Sequence, residues 1–355
     1  METSVDQNDD NVPLGCLESP CKTPSNAHVI RGSNQQKNTF QRRAFNILRD
    51  LVSFLLIPMS ALLTSVEIIL EYFNTPYIIG KHLEGKIVLI TGASSGLGEA
   101  LARSFYAQGC RLILSSRNRK ELERVREELT KSNLQQDTIH IPSILPLDVS
   151  DFQSAEPKIR AAIQHWGHID ILINNAGLSY RGEVVDTSLG VDIQLMNVNY
   201  FGAVALTKAV LPYMISRKSG HIVMIGSLQS KLAIPFRSAY TASKHALQAF
   251  SDSLRAEVQS LNIQVTVVNP GYIKTNLSRN ALTGNGAKYG KMDPSTESGL
   301  SPSVVANAVV NAVKRKKKEV LSCSVFHKLV VLIRVIFPEL YFWAMKKRAS
   351  HSKRD

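Results

Sequence analysis

The stretch Lys86-Ile87-Val88-Leu89-Ile90-Thr91-Gly92-Ala93-Ser94-Ser95-Gly96-Leu97-Gly98 decides the fold. Its first half is a short, nearly all-apolar run, the pattern of a strand buried on both faces. Its second half is a glycine turn spaced Gly-x-x-x-Gly-x-Gly, and a helical pattern follows through Ala107. Strand, glycine turn and helix in that order give a glycine motif its meaning. Glycines at Gly92, Gly96 and Gly98 let the backbone turn tightly and approach a pyrophosphate. The helix start beyond supplies N–H donors and partial positive charge.

The same alternation continues outward. Arg111 to Ser115 reads as a second strand, where an NAD-specific domain usually ends in an acidic residue for the ribose hydroxyls. This chain has Ser116 and Arg117 there. An arginine can pair with a 2′-phosphate, which favours NADP(H) over NAD(H); the bland alternative is that Arg117 points to solvent. A charged helix spans Lys120 to Lys131. A third strand is expected over Ile139 to Leu147, ending at Asp148, whose carboxylate either accepts from an adenine amino group or caps the next helix. Ile169 to Ile173 is a fourth strand. Asn174-Asn175-Ala176-Gly177 follows it, as a simple turn or as part of a cofactor edge.

Asp192 to about Met214 reads as a long helix with Asn199 in its middle, either a satisfied core polar group or a functional one. His221 to Ile225 is a fifth strand closing on Gly226-Ser227. The next helix runs to about Leu261 and carries Tyr240 and Lys244. Gln264 to Val268 is a sixth strand, closed by Asn269-Pro270-Gly271-Tyr272. This alternation predicts an α/β domain, a doubly wound parallel sheet of Rossmann type with helices on both faces and right-handed crossovers. Ile273 to Leu300 reads as a lid or binding loop. Ser301-Pro302 opens another helix, and Glu319 to Leu321 is a last short strand. Val325 to Met345 is apolar and aromatic: an amphipathic membrane helix, a dimer element or a pocket cover.

Tyr240 and Lys244 leave the same face of their helix, one turn apart. A lysine ammonium beside a phenol is expected to favour the phenolate and bring the tyrosine toward the working range of a general acid or base. Alone, Tyr-x-x-x-Lys recurs by chance on helix surfaces; the surrounding strand ends and glycine turn give it weight.

The net charge is +13, with 42 Lys and Arg against 29 Asp and Glu. Much of the excess lies near the ends, in Arg42, Arg43 and Arg49, in Lys314 to Lys318 and in Lys346-Lys347-Arg348. Such clusters suit an anionic membrane surface or form solvated tails; no nucleic-acid motif accompanies them. The four cysteines form no disulfide framework and no metal spacing. Residues 1–40 read as a disordered polar leader and 41–50 as a basic flank. Residues 51–73 are long and apolar enough for a single-pass anchor. The flanking arginines would keep the N-terminus cytoplasmic, a type II orientation. The competing reading is a helix lying in one leaflet or packed on the catalytic domain. The globular domain is expected over 80–322, with an amphipathic, basic extension over 323–355. The C-terminal residues match neither an ER-retrieval nor a peroxisomal signal.

Together these motifs resemble the short-chain dehydrogenase/reductase family. The resemblance runs in order from about Gly85 to Leu321. Thr91 to Gly98 is similar to its cofactor motif and Asn174-Asn175-Ala176-Gly177 to its second motif. Asn199, Ser227, Tyr240 and Lys244 fall at its Asn-Ser-Tyr-Lys tetrad, and Pro270-Gly271 at the motif after the sixth strand. The resemblance implies an NAD(P)-dependent oxidoreductase acting on a ketone or secondary alcohol. In it Tyr240 exchanges the proton, Ser227 holds the substrate oxygen, Lys244 lowers the tyrosine and bonds the nicotinamide ribose, and Asn199 positions a relay water. Gly92, Ser94, Ser95, Gly96, Leu97, Gly98, Arg117, Asp148, Asn175 and Thr275, with Tyr240 and Lys244, would contact the cofactor. A lipid-like substrate, a homodimer through the two long helices, and the endoplasmic reticulum ahead of the peroxisome complete the expectations. The competing function is a non-catalytic dinucleotide-binding scaffold or redox sensor.

Overall fold

The apolar runs read as strands form one parallel, seven-stranded sheet in which, counted along the chain, the third, second, first, fourth, fifth, sixth and seventh strands lie side by side in that order. The computed structural model describes residues 83–132 and 140–352. The described residues belong to one compact unit. The leader, the basic flank and the anchor expected over 51–73 lie outside the described residues.

The strands are β1 (Ile87–Thr91), β2 (Arg111–Ser116), β3 (Ser143–Pro146), β4 (Ile171–Asn174), β5 (Gly220–Ile225), β6 (Ile263–Pro270) and β7 (Glu319–Ser322). The longer helices are α1 (Gly96–Tyr106), α2 (Arg119–Ser132), α3 (Phe152–Trp166), α4 (Leu189–Arg217), α5 (Ser238–Val258), α6 (Pro302–Lys314), α7 (Val325–Ile336) and α8 (Pro338–Ser352). Val88 and Ile90 of β1 pack with α1, α2 and α6. Ile87 and Leu89 face the opposite way, among residues of α3, α4 and α5. Strand side chains alternate between faces, so a strand covered on both sides must be apolar throughout. That is why its sequence shows no alternation.

The third strand is shorter than Ile139 to Leu147. Ile139 lies outside the described residues, and pairing with β2 runs only from Ser143 to Pro146. β3 is an edge strand, and the proline at its end fits that position, having no N–H for a ladder. Ile141, just before it, stays exposed. Asp151 caps α3, accepting from Ser154 N–H.

α4 begins at Leu189 and ends at Arg217, and its middle, Asn197–Phe201, is a π-helical turn. By length and composition it is the one helix among the described residues that could cross a membrane. Half of its apolar window is buried in the protein, and its residues Ala203, Leu206, Ala209, Val210 and Met214 belong to the core. It is a core helix that also carries Asn199.

Candidate active site

The carboxyl ends of β1, β4 and β5 carry the chemistry. Thr91 closes β1, and its buried Oγ1 organises the neighbouring strand end. It donates to the Ile173 carbonyl at 3.2 Å and accepts from the N–H groups of Asn175 at 2.9 Å and Ala176 at 3.0 Å. Asn175 Nδ2 returns the tie by donating to the Thr91 carbonyl at 2.8 Å. The Asn-Asn-Ala-Gly segment therefore fixes the edge of the glycine loop.

The loop itself fits a dinucleotide phosphate. Gly92 and Gly96 have φ of +65° and +56°, a backbone region costly for residues with a Cβ. A Cβ on Gly98 would lie 1.9 Å from the Gly92 carbonyl oxygen. The loop thus folds back on the start of α1 so closely that only glycine is accommodated. Ser95 occupies the N-cap of α1 without making a side-chain cap bond, leaving the first-turn donors for another acceptor. Thr275 reaches this loop from the segment after β6: a Cβ on Gly96 would come within 3.3 Å of its Cγ2. Arg117, beyond the end of β2, is exposed, and its guanidinium stands 3.9 Å from Asp148. Asp148 Oδ1 accepts from Ser150 N–H at 2.9 Å and from its hydroxyl at 2.7 Å. It shapes the turn before α3; of the two roles open to it, capping of that helix is performed by Asp151.

At the end of β5, Ser227 lies in extended backbone and caps a 3-10 turn, Leu228–Ser230. Its Oγ accepts from Gln229 N–H at 3.1 Å, and its side chain lies beside the Tyr240 phenol, which it draws downward. Lys244, one turn along α5, is buried and donates to the Ile225 carbonyl at 2.8 Å. Its Nζ stands 5.9 Å from the centre of the Tyr240 ring. Burial brings Lys244 down to about 8.

The expected lowering of Tyr240 by Lys244 is corrected here. Burial pushes the phenol above its ordinary value, and the opposing influences are the neighbouring Ser227 side chain and the charge of Arg181. Lys244 is itself desolvated and turned toward a backbone carbonyl, so removal of the phenol from water prevails.

Asn199 is buried in the π-helical turn and fully engaged. Its Oδ1 accepts from Leu178 N–H at 2.7 Å; its Nδ2 donates to the Leu178 carbonyl and to Ser243 Oγ, each at 2.9 Å. Ser243 in turn donates to the Tyr240 carbonyl at 2.7 Å. A Cβ on Gly177 would sit 3.2 Å from Asn199 Oδ1 and 3.8 Å from Lys244 Nζ. Gly177 therefore separates these two polar groups, and Asn199 joins the β4 edge to the helix of the tyrosine.

Four further residues belong to the site and were not anticipated. Asn269 accepts from Ser227 N–H at 3.0 Å and donates to Gln248 and Glu319, fixing the serine from behind. Arg181 and Arg237 share Asp293 of the segment after β6. The available signal was Asp293 itself, the single carboxylate among four cations over residues 273–296. A cleft of about 410 Å³ lies elsewhere, lined by Lys231, Leu232, Ala233, His245 and the α7–α8 junction; none of the tetrad lines it.

Comparison with known proteins agrees with this geometry. Residues 86–285 match the family model described as short chain dehydrogenase. The "Dehydrogenase/reductase SDR family protein 7-like" of Anopheles gambiae is 50% identical over 316 residues, 88% of this chain and 98% of that one. The "Dehydrogenase/reductase SDR family member 7B" of Xenopus laevis is 48% identical over 270 residues, 76% of this chain and 84% of that one. Among solved structures, an alcohol dehydrogenase from the archaeon Thermococcus sibiricus, complexed with 5-hydroxy-NADP, superposes with a TM-score of 0.57 at 27% identity. It covers 67% of this chain and 96% of its own.

Proposed function

This chain belongs to the short-chain dehydrogenase/reductase family and is an NAD(P)-dependent oxidoreductase; from that premise we propose that it is a membrane-anchored enzyme reducing a lipid-like ketone with NADPH, or oxidising the corresponding secondary alcohol. The observation that carries the reaction type is the placement of Ser227 beside the buried Tyr240 phenol, with Lys244 on the same face of α5 and its Nζ 5.9 Å from the centre of the Tyr240 ring. The intact constellation argues against a non-catalytic scaffold.

When bound, the nicotinamide supplies or accepts the hydride at the carbonyl carbon. Ser227 and Tyr240 present two hydroxyls to one carbonyl oxygen, which fixes the carbon for attack. In reduction Tyr240 gives its proton to that oxygen; in oxidation it takes the alcohol proton. Lys244 bonds the ribose, and Asn199 holds the segments that border the proton path. Gly92, Ser94, Ser95, Gly96, Leu97, Gly98, Asn175 and Thr275 hold the dinucleotide. Arg117 selects the 2′-phosphate, since its ion pair to Asp148, the only one it makes among the described residues, spans 3.9 Å between two groups open to water and is weak. The NADP analogue bound by the archaeal alcohol dehydrogenase is consistent with that choice. Residues 51–73 form a single-pass anchor in type II orientation, in the endoplasmic reticulum membrane. The exposed apolar side chains Leu189, Ile193 and Phe201 along α4 support a homodimer.

The test is titration of the full chain in detergent with NADPH and NADH. Arg117→Ala is expected to weaken NADPH by roughly tenfold, about the loss of one charge-assisted phosphate contact, with NADH unchanged. Tyr240→Phe should abolish turnover and keep the NADPH affinity. Equal or tighter NADH binding in the wild type would remove the case for Arg117.

A further inference from the structure

The C-terminal hairpin α7–α8 has an inner face that the structure explains and an outer face that it does not. On the inner side Tyr341 is buried against Leu228 and Leu232, and its hydroxyl donates to the Ala233 carbonyl. Leu228 follows Ser227 directly, so the hairpin braces the segment that joins the catalytic serine to the tyrosine helix. Arg348 donates to the Tyr272 hydroxyl at 3.3 Å. Yet α7, an apolar helix of twelve residues, buries none of them. Val325, Leu329, Leu332 and Val335 recur at helical spacing and all are exposed, Val325 by 81%. On α8, Leu340, Phe342 and Trp343 are exposed as well, the last by 55%.

Cations surround these apolar groups. Val325 to Ser352 contains Lys328, Arg334, Lys346, Lys347 and Arg348 against the single carboxylate Glu339. Arg334 lies 4.9 Å from the centre of the Phe342 ring, and Lys347 Nζ 4.0 Å from that of Trp343. An apolar stripe, a tryptophan and flanking cations form the combination that settles at the boundary of acyl chains and anionic headgroups. A second copy of the chain fits poorly. A two-fold interface sets the same patch against itself, and Lys328, Lys346 and Lys347 would face their own copies with little acid between them. Like charges so opposed disfavour the pairing.

We propose that the outer face of the α7–α8 hairpin docks on an anionic bilayer, Val325, Leu329, Leu332 and Trp343 entering the interface and Lys328, Lys346 and Lys347 pairing with headgroups. The docking brings the segment between Ser227 and Tyr240 to the bilayer surface, where an apolar substrate resides. The inference deepens the membrane part of the proposed function and rests on that reading for the presence of a bilayer.

The chain has two tryptophans, Trp166 and Trp343, so Trp166→Phe leaves Trp343 as the sole reporter. The full chain is reconstituted into phosphatidylcholine vesicles with and without phosphatidylserine, the acyl chains brominated or not. In phosphatidylserine vesicles Trp343 emission is expected to shift to the blue and lose intensity with brominated lipid. Leu329→Glu with Leu332→Glu should restore it while flotation with the vesicles persists. Flotation with unquenched Trp343 overturns the docking and leaves the anchor standing; no flotation overturns both. Equal quenching in pure phosphatidylcholine overturns the anionic assignment. A blue shift that needs high protein density and ignores bromine assigns the face to a second copy. Should Trp166→Phe misfold, hydrogen exchange over Val325–Ser352 in the unaltered chain decides: slowing in phosphatidylserine vesicles supports the docking, and unchanged rates overturn it.

Discussion

Arg181 and Asp293, 112 positions apart, form an ion pair in which Arg181 Nε donates to Asp293 Oδ2 at 2.7 Å with both side chains largely buried. Arg237, at the N-cap of the helix that carries Tyr240, reaches the same oxygen at 3.3 Å. Two cations thus share one carboxylate, and the cluster keeps net positive charge close to the phenol. Its own strain shows in Arg237, which burial and the neighbouring Arg181 bring down to about 10.

The charge of Arg181 opposes the burial that pushes Tyr240 upward. Removing it disfavours the phenolate, which alcohol oxidation requires. Arg181→Met is therefore expected to move the rising limb of the oxidation pH profile to higher pH. At neutral pH the rate should fall severalfold, on the order of the tenfold that one pH unit represents, with cofactor affinity unchanged. A lower rate on an unshifted profile would mean that Arg181 only fastens the segment bearing Asp293.

Gly98→Ala tests the glycine cradle. The added methyl would meet the Gly92 carbonyl oxygen at 1.9 Å and Asn175 Nδ2 at 2.7 Å. Backbone on one side and a hydrogen-bonded amide on the other leave little room to yield. Overpacking of this kind costs about 1–3 kcal/mol, and here it spreads the loop that holds the dinucleotide. The expected result is a roughly tenfold or greater loss of NADPH affinity, read by quenching of protein fluorescence, with the far-UV circular dichroism spectrum retained.

The parallel sheet covered by helices on both faces and the glycine loop were legible because each rests on local pattern, whereas Ser227 was linked to Tyr240 only through the family resemblance. β1 declares itself through an apolar run that two helical layers must cover, and Gly92 through a backbone conformation that glycine adopts cheaply. The cluster of Arg181, Arg237 and Asp293 was not legible, since three separate segments supply it and no period links them. The sign of the Tyr240 shift was missed for a related reason. The spacing to Lys244 says that the two residues share a helix face, but it does not weigh the loss of water that comes with full burial. The end of β3 depends on where an edge strand finds its partner, which composition does not encode.

His221 should dominate one part of the acid response. It is buried beneath the sheet end, and Nε2 stands 2.8 Å from Thr266 Oγ1. Thr266 donates its own proton to the Lys317 carbonyl at 2.6 Å, so its oxygen accepts from a neutral His221 protonated at Nε2. Burial, with the charge of Lys316 assisting, brings His221 down to about 4. The unfolded chain takes up that proton near the ordinary 6.5, so stability is full above that value and is lost as pH falls toward 4. The loss is about 3 kcal/mol. Urea denaturation of His221→Gln at pH 7 and pH 4.5 is expected to show a smaller drop than the wild type; an equal drop would place the acid sensitivity elsewhere.

Lys244 carries a slope of the same sign at higher pH and shows what the site costs the fold. Burial lowers it from 10.5 to about 8, so below pH 8 the native state holds an ammonium out of water. Between pH 8 and 10.5 the unfolded chain binds the proton and the native chain does not, and stability from this group rises with pH. The range amounts to about 3 kcal/mol. Lys244→Met removes the charge and also the donor to the Ile225 carbonyl, a loss of about 1–3 kcal/mol that does not depend on pH. The pH dependence of the difference therefore isolates the charge. Without added dinucleotide, the stability of Lys244→Met relative to wild type should be most favourable at pH 7 and decline toward pH 10, while turnover is abolished throughout. A difference that stays flat with pH would mean that neighbouring groups already compensate the ammonium, and that Lys244 is held at no expense to the fold.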